Sequence, residues 1–210
     1  MIKIKSKNDL KDFIDESLMI FTFLSYLKSH EKLQSYFPTP IDIKKDESPD
    51  FVITDQVKST GIEISSGSPK NMNYASSIIK EFPENSLIEL DPDLFNQKDL
   101  NRDEIKSYIK CPKEKLTGYG WNGYGIEHSW SNNIITLIKH KTLKLNTNYS
   151  IYEKNILLIN GDFLLTRKYD IANDYLENAL KKIELGKDYE TLFDEIFIIS
   201  KVRNAVLFNL

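Results

Sequence analysis

In the stretch SPDFVITDQVKSTGIEISSGSPK, residues 48–70, two acidic side chains, Asp50 and Glu63, sit at the ends of two short β-rich runs. Residues 51–54 and 62–65 have the apolar, β-branched character of strands, and the polar DQVKSTG between them ends in a glycine suited to a turn. Paired as a hairpin, the first run brings Asp50, just ahead of it, opposite the Glu63 to Ser65 end of the second. Side chains alternate along a strand, so Glu63 and Ser65 share one face while Ile62 and Ile64 share the other. Two carboxylates a few ångströms apart repel, and unless one is protonated they need a counter-charge. A hard divalent ion with oxygen ligands, such as Mg²⁺, meets that need.

The elements that must hold this pair can be read outward from it. Residues 8–30 are expected to form a helix, with Leu10, Phe13, Ile14, Ser17, Phe21 and Leu24 recurring at three- and four-residue steps and Asn8 or Asp9 as its cap. PTPIDIKKDESP, with three prolines, reads as a connection that carries no sheet ladder. A helix is expected near residues 75–82, followed by the short apolar piece SLIEL, the charged stretch DPDLFNQKDLNRDEIK and a Gly/Tyr/Trp-rich loop, GYGWNGYG. SNNIITLIKHKTLKLN then opens on a capping residue and places Ile134, Leu137, Ile138, Thr142 and Leu145 on one helical stripe. NILLING is a continuous apolar run ended by Asn-Gly, as in a strand covered on both faces. A further amphipathic helix is expected over residues 171–183, and EIFIIS and AVLFNL, joined by KVRN, form a terminal hairpin. The expected fold is α/β: one domain over residues 1–210, a mixed central sheet flanked by helices. It is elaborated between about 66 and 130 and by a C-terminal helix plus hairpin.

Pro49-Asp50-Phe51 followed by Gly61-Ile62-Glu63-Ile64-Ser65 resembles the PD-(D/E)xK nuclease superfamily. The order of elements over residues 8–160 is similar too: an early helix, a hairpin, a crossover helix and a buried strand. The resemblance implies a restriction-endonuclease-like fold. It also implies Mg²⁺ (or Mn²⁺) held by Asp50 and Glu63 with the Ile64 carbonyl, and hydrolysis of phosphodiester bonds, in DNA above all. Where that family carries a lysine two residues after the glutamate, this chain has Ser65.

A displaced lysine has one clear candidate. Lys141 falls inside the apolar stripe of its helix, whereas Lys139 and Lys144 lie toward its edges. Its stem could cover apolar surface while the ammonium reaches water. Alternatively it faces Asp50 and Glu63 across the helix–sheet interface, where it would orient water or stabilise developing charge. The gap at Ser65 favours the second. Glu16 lies on the shoulder of the first helix's apolar face, where the family often carries an acidic residue as an extra ligand, against the alternative of a solvated helix edge; Glu31 is the second choice. Lys139, His140, Lys144, Arg167 and Lys168 form the best local basic cluster for a phosphate backbone, against the alternative of a solvated helix face. Tyr119, Trp121 and Tyr124 are candidates for base stacking, against a turn whose aromatics cover the core edge.

Other features narrow the possibilities. The single Cys111 excludes an internal disulfide and a multi-cysteine zinc site, and its setting before Pro112 offers no partner for a nucleophile. The three histidines, at 30, 128 and 140, lack metal spacing. The opening residues carry no signal-peptide core and no apolar run is long enough for a membrane span, which points to the cytoplasm. A formal charge of −3 says nothing about partners. Two other expectations remain: a catalytically inactive nuclease-like module that binds or senses nucleic acid, and a protein-interaction subunit. In the latter, Asp50 caps a turn, Glu63 faces solvent and the C-terminal hairpin or helix mediates a homodimer. A homodimer or a larger defence-type complex is the assembly expected from the family resemblance.

Overall fold

The computed structural model describes residues 7–38, 40–55, 57–83, 88–90, 94, 100–110, 125–148, 150–161, 172–178, 180, 193–200 and 205–209. Helix α1 (Lys7–Ser29) and the single turn α2 (Leu33–Tyr36) precede a meander of β1 (Asp42–Lys45), β2 (Phe51–Thr54) and β3 (Ser59–Ser66). Next come α3 (Lys70–Ile79), β4 (Glu89–Leu90), α4 (Arg102–Ser107), β5 (Ile109–Lys110) and the long α5 (Gly125–Asn148). The chain closes with β6 (Lys154–Asn160), a helical segment at 172–178, β7 (Glu195–Ser200) and β8 (Ala205–Asn209). Six strands form one mixed sheet in the order β1-β2-β3-β6-β7-β8, and β4 pairs with β5 in a small separate ladder. The class is α/β.

Polarity within the sheet follows from the connections. The short loops from β1 to β2 and from β2 to β3 give antiparallel pairs, as does the link from β7 to β8. The long excursion through α3, α4 and α5 returns β6 parallel to β3, and β7 lies parallel to β6. β6 is central and apolar on both faces, and its alternation splits the core in two. Ile156 and Leu158 join α1 residues Met19, Ile20, Phe23 and Leu27 on one side. Leu157 and Ile159 join Met72, Trp130, Ile134, Ile138 and Leu145 on the other. Each such side chain, taken wholly out of water, contributes about 1.5–3 kcal/mol.

Three sequence expectations change. The proline-rich connection does carry a strand: Asp42–Lys45 pairs with β2 through Ile43↔Ile53 and Lys45↔Phe51. Its prolines, at 38, 40 and 49, all fall outside those four residues, and an edge strand needs a ladder on one side only. The buried face of α1 centres on Met19, Ile20, Phe23 and Leu27; of the expected stripe Leu24 packs against this cluster, whereas Ile14 and Phe21 are exposed. The run LMIFTFL is apolar around the whole helix, so periodicity cannot phase it. Packing of Phe23 against Phe37 and Phe197 sets the rotation. Finally, α3 starts at Lys70 and α5 at Gly125, each several residues earlier than expected, and Trp130 belongs to the helix and is fully buried.

Candidate functional site

β2 stops at Phe51, opposite Ile62, while β3 runs on to Ser66 beside β6. The two strands therefore part between Asp50 and Glu63, and β3 leaves a notch on the side that β2 has abandoned. Asp50 is pinned at its mouth. Its backbone carbonyl accepts from the Asp46 N–H at 2.9 Å, and its Oδ2 accepts from the Ile64 N–H at 2.7 Å. Because the N–H and C=O of one strand residue point to the same edge, that bond also turns the Ile64 carbonyl toward the notch.

Glu63 lies on the α5 face, since Ile62 and Ile64 pack with the α1 cluster. It is buried, 4% exposed, so the reading in which it faces solvent does not hold. Lys141 donates from Nζ to Glu63 Oε1. Helix α5 can make that contact because it runs antiparallel to β3. The Asn133 side chain donates to the Gly67 carbonyl at 2.7 Å, and Lys141 lies eight residues further down the helix. Those eight residues span about 12 Å, close to the roughly 13 Å of strand between Gly67 and Glu63. Ile134, Ile138 and Leu145, all buried, carry Lys141 on their inward stripe. Lys141 therefore faces Glu63 across the helix–sheet interface.

Glu16 also reaches the site. Lys45, at the end of β1, donates to Glu16 Oε2, and its Nζ lies 3.6 Å from Asp50 Oδ1 and 4.8 Å from the centre of the Phe51 ring. Two ion-paired groups thus border the notch: Glu16 and Asp50 about Lys45, and Glu63 with Lys141. Lys45 is not legible in the sequence because the prolines around its segment read as a connection. The signal was there in DIKK, which, paired with FVIT, puts a lysine directly across from the residue after Asp50.

The remaining candidates scatter. Glu31 is exposed in the turn after α1 with φ 56°, some 20 Å along the helix from Glu16. Lys139 and His140 are exposed on α5 and Lys144 is half-buried, while Arg167 and Lys168 lie outside the described residues, as do Cys111, Tyr119, Trp121 and Tyr124. Ser65 is half-buried on the strand face that Glu63 occupies. His128 is exposed, with Nδ1 3.2 Å from the Asn132 amide, a local contact.

A second polar cluster lies at the other end of the parallel strands, where β6 and β7 begin. Glu195 accepts from both the Tyr36 hydroxyl and Lys154 Nζ, and Lys154 sits 3.9 Å over the Tyr36 ring. Burial pushes the Tyr36 phenol well above its ordinary value, helped by its bond to Glu195 and that carboxylate's charge. Every partner there is engaged, which marks it as a strap between α2 and the sheet.

Hard oxygen donors are what Mg²⁺ prefers, and it is bound through one or two carboxylates with several waters retained. Asp50, Glu63 and the Ile64 carbonyl fit that description. Among the described residues, no group of three or more His, Cys, Asp or Glu side chains is gathered to hold a metal by itself. Among the described residues, no helix is long and apolar enough to cross a membrane. Comparison with protein-family models, curated proteins and solved structures gives no match.

Proposed function

We propose that the chain is a Mg²⁺- or Mn²⁺-dependent nuclease that hydrolyses phosphodiester bonds in DNA, built on a restriction-endonuclease-like core. The observation that carries this reading is the join at the notch. Asp50 is bonded to the N–H of the residue after Glu63, and Glu63 in turn receives a lysine from the crossover helix. A meander feeding a parallel crossover strand, with an early helix on the opposite face, supports the fold assignment. Asp50, Glu63 and the Ile64 carbonyl would hold the metal, which when bound supplies Lewis-acid polarisation of the phosphodiester. Lys141 orients the attacking water and offsets charge that develops on the phosphate, in the role Ser65 cannot fill. Lys139 and His140, exposed on the same helix, would track the backbone.

The test is cleavage of labelled DNA, with RNA beside it, in Mg²⁺ and in Mn²⁺. Cleavage is expected for the unaltered protein and not for Asp50→Ala or Glu63→Ala; activity that survives both substitutions overturns the assignment. The neutral Ser65 favours a second reading, a nuclease-like module that binds nucleic acid without cutting it. That reading predicts binding that is indifferent to divalent metal and to Glu63→Ala.

A further inference from the structure

Lys45 occupies an unusual position. Its ammonium is shared by two carboxylates that approach from different elements, Glu16 from α1 and Asp50 from the loop between β1 and β2. The sharing is unequal. Glu16 is directly hydrogen-bonded, whereas Asp50 Oδ1 stands 3.6 Å away, beyond hydrogen-bonding range. Asp50 Oδ2 is committed to the Ile64 N–H, so Oδ1 is the more loosely held oxygen of that carboxylate. The strap at Glu195 is different. There one carboxylate receives a lysine and a hydroxyl, and the lysine lies close over the tyrosine ring.

We propose that the Lys45 ammonium is a tethered counter-ion that a divalent cation displaces from between Glu16 and Asp50, so that Lys45 sets the metal affinity of the site. This rests on the metal-dependent reading above. The charge balance supports it: two carboxylates, Glu16 and Asp50, share the one ammonium of Lys45, leaving that group one negative charge in excess. A divalent ion added with Lys45 in place would turn that into an excess of one positive charge, and withdrawal of the lysine removes the conflict. Release is cheap. The side chains of Lys45, Glu16 and Asp50 are each 22–26% exposed, so water reaches the group and parting it costs less than parting the more enclosed Glu63 and Lys141. An alternative seat also exists over the Phe51 ring, which the ammonium already approaches at 4.8 Å. Lys141 is not equivalent. Its side chain is 14% exposed and its partner Glu63 is 5% exposed, so this second lysine stays where it is.

Calorimetric titration of the full chain with Mn²⁺, unaltered and as Lys45→Met, tests the proposal, with Lys154→Met as a control remote from the notch. Removal of the competing ammonium is expected to tighten Mn²⁺ binding roughly fivefold or more, the factor that corresponds to about 1 kcal/mol. The Lys154 variant should bind as the unaltered protein does. Equal or weaker binding by Lys45→Met overturns the role of Lys45 while leaving the metal site standing. No Mn²⁺ binding by any of the folded proteins overturns both. A second measurement needs no variant: in the unaltered protein, the acylation rate of the Lys45 amine should rise when Mn²⁺ is added, with Lys154 unchanged. A Lys45 rate indifferent to Mn²⁺ rejects displacement.

Discussion

Replacing Lys141 with methionine keeps most of the stem that fills the α5 stripe and removes only the charge. What remains is a carboxylate, Glu63, whose side chain is 5% exposed and whose lysine partner is gone. Breaking an exposed ion pair costs about 0–1 kcal/mol, and breaking a buried one about 3–5 kcal/mol, because the surviving charge loses its counter-ion in a place water reaches poorly. Since the Lys141 side chain is itself 14% exposed, water can partly fill the vacated place, and the lower end applies, about 3 kcal/mol. Glu63→Gln leaves an ammonium that can turn toward water and should cost less, about 1–2 kcal/mol. The double variant should cost about 2–3 kcal/mol, less than the sum of the two single losses by a coupling energy of about 2 kcal/mol. Urea unfolding of the four proteins measures this, with an unchanged slope as the check that only stability has moved. A Lys141→Met cost below about 1 kcal/mol, together with additive effects in the double variant, would refute the buried pair. It would return Lys141 to the reading in which its ammonium sits in water.

Two further predictions concern the frame around the site. In Gly67→Ala the new Cβ would lie 2.7 Å from the Asn160 carbonyl oxygen and 2.9 Å from Ile134 Cδ1, and backbone of the central strand cannot yield cheaply. The expected loss is about 1–3 kcal/mol, read as a lower Tm, and a variant as stable as the parent would show that β3 and α5 are less closely joined than described. At high pH the Tyr36 phenol should be the late one to ionise, because folding raises its pKa. Its contribution to stability is whole below the ordinary tyrosine value of about 10 and is lost as pH rises from there toward the folded-state value. Phenolate absorbance during alkaline titration should lose its late component in Tyr36→Phe. An identical titration of the two proteins would refute the strap.

How far the sequence could be read depended on whether each segment carried contrast. The α5 stripe was legible because Ile134, Ile138, Thr142 and Leu145 alternate with charged and amide side chains, and the one lysine inside it therefore stood out. The hairpin was legible from its β-branched runs, which is why the neighbourhood of Asp50 and Glu63 could be anticipated, but its turn was not: Gly61, expected to end the turn, pairs with Val52 inside β3, and the loop closes earlier, at Asp55–Lys58. α1 was different. A helix apolar on nearly every side gives no phase, and only Phe37 and Phe197, one nearby and one far along the chain, decide which residues turn inward. β1 was hidden by its flanking prolines, and Lys45 with it. Whether a carboxylate meets a lysine, a metal or both is a matter of distances that no pattern of residue types encodes.

The parallel pairing of β3 with β6 has a consequence for how the chain comes to be folded. Thr60 is matched with Lys154 and Glu63 with Leu157, so the strand carrying the glutamate finds its neighbour only after some ninety further residues exist. At a synthesis rate of about 5–20 residues per second, a nascent chain holds that apolar strand without its mate for roughly 5–20 seconds. Over that interval the β1–β3 meander and α1 are the native elements available to shelter Ile62, and Glu63 waits without its lysine until the crossover helix has been made. The pairing of Glu63 with Lys141 is thus a late acquisition: a chain cut short ahead of α5 would own Lys45 and the Ile64 N–H that hold Glu16 and Asp50, but not the lysine that meets Glu63.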